Sequence, residues 1–279
     1  MTGNSDAAWS LPVPLLRPYI ASYSGYRAPG VPGATHVGMP GSYLTVIITI
    51  DEPLQMLAMT NPQQPPGTWH TLASGLAAVP CTISMANLQY GIQLAFTPLG
   101  ARALFGMPTA ELGTWIVGLD DVIGLDAEEL RTRIAVAPSW RSRFAILNEV
   151  FGRRVREVPT DANLQAAWDL LVGSGGRRRV GEVAVEIGWS RRHLVNKFTA
   201  EYGVTPKDAA RIARFERSHR ILRRERIPPL ADVAASCGFY DQAHMAREWR
   251  DLAGMAPSHW RAAELFTFVQ ADDTDAAQP

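Results

Sequence analysis

Arg192, Val195 and Asn196, with Thr199 one turn on, form a stripe at helical spacing, and Gln242, Ala243, Ala246 and Arg247 form a second about fifty residues later. The chemistry such stripes can do is readout of base edges. A guanidinium forks onto guanine, a carboxamide onto adenine, and small apolar groups meet the thymine methyl. Arg178, Arg179, Arg191, Lys197 and Arg250 lie beside the stripes, with Arg177 and Arg261 further out, and carry the charge to meet phosphates. One stripe in isolation is equally what a solvated helix face presents; two in register favour recognition.

The elements that must position these side chains are themselves repeated. The segments "VAVEIGWS" (183–190) and "VAASCGF" (233–239) share a pattern, and "NKFTAEYGVTP" (196–206) and "REWRDLAGMAP" (247–257) continue it. Val180, Val183, Ala184 and Ile187 follow the i, i+3, i+4, i+7 rule of an amphipathic helix, as do Leu230, Val233, Ala234 and Cys237. Each set ends at a glycine suited to a tight turn, Gly188 or Gly238, followed by an N-cap candidate, Ser190 or Asp241. The second helix of each unit then turns Leu194 and Phe198, or Met245 and Trp249, inward. Helix, glycine turn, helix is the helix-turn-helix motif, and it occurs twice. Between the copies Pro206 and Pro228 bracket one long helix, with Ile212, Phe215 and Leu222 on its apolar side. Such a spacer, about 27 Å long, suits two reading helices set about one turn of B-DNA apart, roughly 34 Å.

Composition bounds the rest. A chain of 279 residues with 47% apolar side chains can build two cores. Its net charge is zero, yet residues 161–264 hold 17 basic against 13 acidic side chains, a basic module hidden in a neutral whole. Two distant cysteines, Cys81 and Cys237, argue for a reducing, cytoplasmic setting rather than a disulfide scaffold. No signal peptide and no stretch of eighteen apolar residues is visible, so no membrane partner is expected. P-loop, G-x-S-x-G and H-E-x-x-H motifs are absent, and no enzymatic activity or cofactor is expected.

The first part of the chain reads as a small, mostly antiparallel β domain with helices. "YLTVIITI" (43–50) is a strand, and further strands are expected around 54–60, 68–74, 76–86 and 88–97. Amphipathic helices are expected over 126–136 and 139–158, and "REVPTDA" (156–162) reads as the hinge. The fold class is therefore α+β, with an N-terminal domain at 1–158, an all-α domain at 161–264 and a disordered acidic tail at 265–279. His36 and His70 lack the spacing of a metal cage. Cys81 lacks the electropositive setting of a reactive thiolate, and Cys237 reads as a small buried hydrophobe. Trp69, Tyr90, Phe96 and Trp115 are placed either to line an apolar ligand pocket or to fill the core, and core is the simpler reading.

The segment 161–264, and most specifically "CGFYDQAHMAREWRDLAGMAPSHWR", resembles the AraC-type (AraC/XylS) transcriptional regulators of bacteria. The resemblance implies a seven-helix DNA-binding domain in which Arg192, Val195, Asn196, Gln242, Ala243, Ala246 and Arg247 contact bases of double-stranded DNA in two adjacent major-groove segments. Met245 and Trp249 stand where the family usually has phenylalanine, and Ala243 where Ser or Gln is commoner. The resemblance further implies an N-terminal domain that senses a small effector and dimerises, often as a cupin-like barrel, and RNA polymerase as a partner of any activator. A ligand-independent regulator, whose first domain only dimerises or binds a protein partner, is one alternative, and an enzyme with a fused DNA-binding domain is a second, less favoured one.

Overall fold

The structure is a computed structural model that describes residues 6–224 and 226–263; the tail expected at 265–279 lies outside the described residues. Among the described residues ten strands form two antiparallel sheets. They are β1 (Asp6–Ser10), β2 (Ile20–Ala28), β3 (Thr35–Gly38), β4 (Leu44–Thr49), β5 (Leu54–Ala58), β6 (Gly67–Trp69), β7 (Thr71–Ser74), β8 (Cys81–Ser84), β9 (Gln89–Phe96) and β10 (Ile116–Gly118). One sheet runs β1-β2-β9-β4-β7-β10 and the other β3-β8-β5-β6. The β-branched run of β4 lies in the middle of the larger sheet, pairing Val46 with Leu94 of β9 and with Ala73 of β7. Alternate side chains Leu44, Val46 and Ile48 are fully buried there, as period-two patterning demands.

Three differences from the sequence expectation stand out. The strand read at 68–74 is two strands, because the chain passes from the smaller sheet to the larger at His70, whose carbonyl accepts a hydrogen bond from the Thr49 N–H at 2.8 Å. The strand read at 76–86 shortens to β8. The nine-residue β2, the partner of β9, gave no periodic signal: its sequence IASYSGYRA buries Ser22 and Ser24 alongside Tyr23 and Tyr26, so polar and apolar positions do not alternate.

Helices cover this β domain. A short helix α1 (Pro98–Gly100) continues as a π-turn, Ala101–Phe105, and α2 (Leu119–Ile123), α3 (Leu125–Val136) and α4 (Trp140–Arg154) follow. The last is started by a Ser139/Ser142 capping box and buries Phe144, Leu147, Val150 and Phe151. Phe96 anchors the contact, its ring 5.0 Å from Phe105 and 5.3 Å from Phe151. After α4 the chain is irregular until the Asp161 carboxylate caps α5 (Ala162–Trp168), the cap that the Thr-Asp pair led one to expect.

Seven α-helices make up the second part among the described residues: α5, α6 (Val180–Glu186), α7 (Arg191–Tyr202), α8 (Pro206–Leu222), α9 (Leu230–Ser236), α10 (Gln242–Ala253) and α11 (Pro257–Ala263). The connecting helix α8 stops at Leu222, short of Pro228. Arg223, Arg224 and Arg226 offer no apolar side chain for another buried turn, and Ile227 before proline disfavours helix. At 17 residues α8 is about 26 Å long. A single apolar core runs from Leu16 in the β domain through Phe151 and Trp168 to Leu194 and Phe198. Residues from Ile212 to Trp260 form a separate core under α9 to α11.

Candidate nucleic-acid interface

Two helix-turn-helix units flank α8. In the first, α6 leads to Gly188 (φ +73°), the Trp189 N–H closes the turn on the Ala184 carbonyl at 2.8 Å, and the Ser190 hydroxyl caps α7 by accepting from the His193 N–H at 3.2 Å. In the second, α9 leads to Gly238 (φ +80°), the Phe239 N–H closes on the Ala234 carbonyl at 3.0 Å, and the Asp241 carboxylate accepts from the His244 N–H at 2.6 Å. Both turns need left-handed backbone, which glycine adopts without a Cβ penalty. The two units are thus built by the same local rules, as the repeat predicts.

The inward residues are where the spacing placed them: Leu194, Phe198, Met245 and Trp249 are all fully buried. Trp249 stands where the resemblance expects phenylalanine, and the packing accommodates it. Its indole Nε1–H donates to the Ser218 hydroxyl of α8 at 2.9 Å, so the larger ring keeps its polar atom satisfied. Cys237 is fully buried in the same core, and burial pushes its thiol pKa up.

The outward residues divide. Arg192, Asn196, Gln242, Ala243 and Arg247 are exposed, whereas Val195 and Ala246 are half-buried at the edges of the stripes. Thr199 is a correction: the residue is half-buried and its hydroxyl is buried without a hydrogen-bond partner, so it is not presented for readout. Of the flanking cations, Arg179, Arg191, Lys197 and Arg250 are exposed. Arg178 is half-buried and pairs with the Glu186 carboxylate of α6. Arg177 donates from Nε to the Ser174 carbonyl at 3.0 Å.

Several contacts that no sequence pattern marked hold the reading helices in place. Arg211 of α8 donates from Nε to Glu248 of α10 at 2.7 Å and reaches Asp251 at 3.4 Å. The β domain grips the first unit through a fork in which Arg102 Nε and Nη2 donate to the two Glu201 carboxylate oxygens at 2.5 Å each. It touches α8 through Ser42, whose N–H donates to Glu216 Oε1 at 2.8 Å and whose hydroxyl donates to Oε2. Glu201 lies at the C-terminal end of α7, while Arg192 and Asn196 lie in its first half, so the docked β domain leaves the stripe open.

A cavity of about 110 Å³ lies between the two sheets, lined by Thr45, Ile47 and Gln93 from one and His36, Met56 and Cys81 from the other. An adjoining cavity of about 370 Å³ shares Met39, Tyr43, Thr45 and Gln93 with it and reaches α8 at Arg217, His219 and Arg220, with Arg223 just past the helix end. Burial lowers the His36 pKa to about 4. Burial, helped by Arg223 and Arg220, lowers that of His219 to about 3, and its Nε2 has no hydrogen-bond partner. The Cys81 thiol is pushed up to about 11 by burial. Trp69, Tyr90, Phe96 and Trp115 line neither of these two cavities: Phe96 is core, Trp115 is exposed, and Arg27 and Arg143 sit over the Tyr90 ring. Among the described residues no group of three or more His, Cys, Asp or Glu side chains could hold a metal ion, and no helix is long and apolar enough to cross a membrane.

An antiparallel β domain docked on an α-helical domain with paired helix-turn-helix units defines a two-domain α+β helix-turn-helix protein. A family profile described as "Helix-turn-helix domain" matches residues 183–263, and this C-terminal domain is of the AraC type. The chain is 32% identical over 90 residues to the HTH-type transcriptional regulator Rv1931c of Mycobacterium tuberculosis; the match covers 32% of this chain and about a third, 34%, of that protein's length. The whole fold is similar to that of ToxT from Vibrio cholerae, at a TM-score of 0.53 and 11% identity, covering 86% of this chain and 97% of ToxT. A structure of ToxT from Vibrio cholerae O395 bound to (E)-4-(8-methylnaphthalen-1-yl)but-3-enoic acid matches at a TM-score of 0.51 and 12% identity over 86% of this chain and 97% of that one.

Proposed function

We propose that this chain is a sequence-specific DNA-binding transcription regulator that reads two successive major-groove segments of one duplex. The observation that carries this is the duplicated unit: one chain presents two capped second helices whose outward faces hold Arg192 and Asn196, and Gln242 and Arg247, all exposed while the β domain is docked. Val195, Ala243 and Ala246 supply small apolar contacts beside them. Arg179, Arg191, Lys197 and Arg250 serve as phosphate contacts, and Arg178 joins them only if DNA competes with Glu186. Residues 1–158 and 161–264 act as the two functional parts, and limited proteolysis of the full chain is expected to cut first in the irregular stretch 155–161.

The test is selection of binding sites from random duplex DNA by the full chain at a stated salt concentration. Two short sequence blocks centred about one helical turn apart are expected. Recovery of no motif by folded protein refutes the reading.

The finer reading is that a small effector controls this activity from the cavities beside α8. An apolar chamber adjoining a space edged by Arg217, Arg220 and Arg223 suits an amphipathic carboxylic acid, the class of the ligand in the bound ToxT structure. Aryl-alkenoic acids are expected to raise the thermal midpoint of the full chain, with the rise lost in Arg217→Ala/Arg220→Ala. No shift with any such acid favours a regulator that works without ligand.

A further inference from the structure

We propose that Arg214 is a positioning residue that fixes the setting of the two helix-turn-helix units relative to each other, and so the spacing of the two DNA blocks the chain accepts. The inference rests on the two-segment reading above. Arg214 sits at the middle of α8, where the loop entering the first unit and the turn of the second unit converge. Its Nη1 donates to the Gly176 carbonyl at 2.7 Å. Its Cδ lies 3.6 Å from where a Cβ on Gly238 would be, and its guanidinium carbon 6.0 Å from the Phe239 ring centroid. One side chain therefore touches both units.

The surroundings are shaped to allow this. Gly176, at φ +73°, lies so close to α8 that a Cβ there would fall 2.0 Å from the Ala210 carbonyl oxygen and 2.9 Å from Arg214 Cγ. Arg177, the next residue, runs across to Gly238, its Cγ 3.2 Å from the same Cβ position that Arg214 approaches. The first unit's entry loop and the second unit's turn thus meet directly and are joined by the guanidinium beneath them. Arg214 keeps its Nε buried without a partner, and desolvation lowers its pKa. Methionine would fill much of the same space without an unpaired donor, but it would take the Arg214 donor from the Gly176 carbonyl and with it the polar link between the two units. The advantage of arginine is reach: a planar group can hold a carbonyl of one unit and lie against an aromatic ring of the other. Arg211 of α8 holds α10 through Glu248 and Asp251 but reaches the second unit only, whereas Arg214 touches both.

The experiment compares the full chain with Arg214→Met and Arg214→Lys on duplexes that carry the two selected blocks at native spacing or with one or two base pairs inserted. One inserted pair turns the second block by about 35°. The wild-type chain is expected to lose about tenfold or more in affinity per insertion, the scale of a misplaced contact. In Arg214→Met, native-spacing affinity falls several-fold and the insertion penalty shrinks to about threefold or less. Arg214→Lys, which keeps a cation but loses the fork, shrinks the penalty in the same way and carries the test if the methionine variant does not fold. A penalty unchanged in a folded variant overturns the role of Arg214 while leaving the DNA reading intact. Absence of sequence-specific binding by the wild-type chain overturns the DNA reading and this role with it.

Discussion

Ser218→Ala is expected to weaken the second helix-turn-helix unit through a single buried donor. Ser218 and Trp249 are both fully buried, and the Trp249 Nε1–H donates to the Ser218 hydroxyl at 2.9 Å. That hydroxyl in turn donates to the Phe215 carbonyl within α8 at 2.8 Å, so its one proton is spoken for and its lone pair receives the indole. Alanine leaves the indole N–H without a partner in a site closed to water, which costs about 1–3 kcal/mol. The Phe215 carbonyl loses a second donor but keeps its place in the helix, a smaller effect. Trp249→Phe removes the orphan donor, at the expense of the apolar contacts the larger ring makes with Phe215 and Trp260, whose ring centroids lie 4.7 and 5.5 Å away. In the double variant, Ser218→Ala should therefore cost far less on the phenylalanine background than on the tryptophan background. Urea unfolding of the full chain, followed by far-UV circular dichroism, yields the four midpoints of the cycle. A coupling energy below about 0.5 kcal/mol would refute the claim that this hydrogen bond is what makes tryptophan acceptable at that position.

Other outcomes follow from the same geometry. Arg247→Ala should cost about 1–3 kcal/mol of DNA affinity and relax preference at one block only; equal weakening on all sequences would make Arg247 a phosphate contact instead. Arg102→Ala should destabilise the chain by about 1 kcal/mol, modest because the pair is partly solvated, and Arg102→Glu with Glu201→Arg should recover part of it in thermal unfolding. For pH, both His36 and His219 have folded values held below the ordinary 6.5, at about 4 and about 3, so the unfolded chain binds more protons in acid. Their contribution is complete above about pH 6.5 and is lost as pH falls toward 4 and then 3, by up to about 1.4 kcal/mol per pH unit for each histidine. The acid limb of a stability profile should flatten in His219→Gln, and an unchanged limb would show that His219 is not buried neutral.

The helix-turn-helix units were legible in the sequence because everything that forms them is local. An i, i+3, i+4, i+7 stripe, a glycine, a capping side chain and a second stripe act within some twenty residues, so Gly188 with Ser190 and Gly238 with Asp241 declare their turns and caps without reference to the rest of the chain. The outward faces followed from the inward ones by helix geometry alone, except at Thr199, where the hydroxyl is buried against its surroundings. In the β domain the run over β4 was equally plain, since β-branched residues need no context to favour a strand. β2 was not, because burial on both faces erases the alternation that announces a strand.

What the sequence by itself determined, then, is the C-terminal architecture and which side chains it turns outward. Tertiary structure decided everything that joins distant segments: the Arg102 fork onto Glu201, Ser42 on Glu216, and the meeting of Gly176 and Gly238 over Arg214. Such contacts pair residues separated by 38 to 174 positions, and neither periodicity nor capping chemistry carries information over that range. They arise only when the packed cores bring the backbones together, because a hydrogen bond acts over about 3 Å of space whatever the distance along the chain.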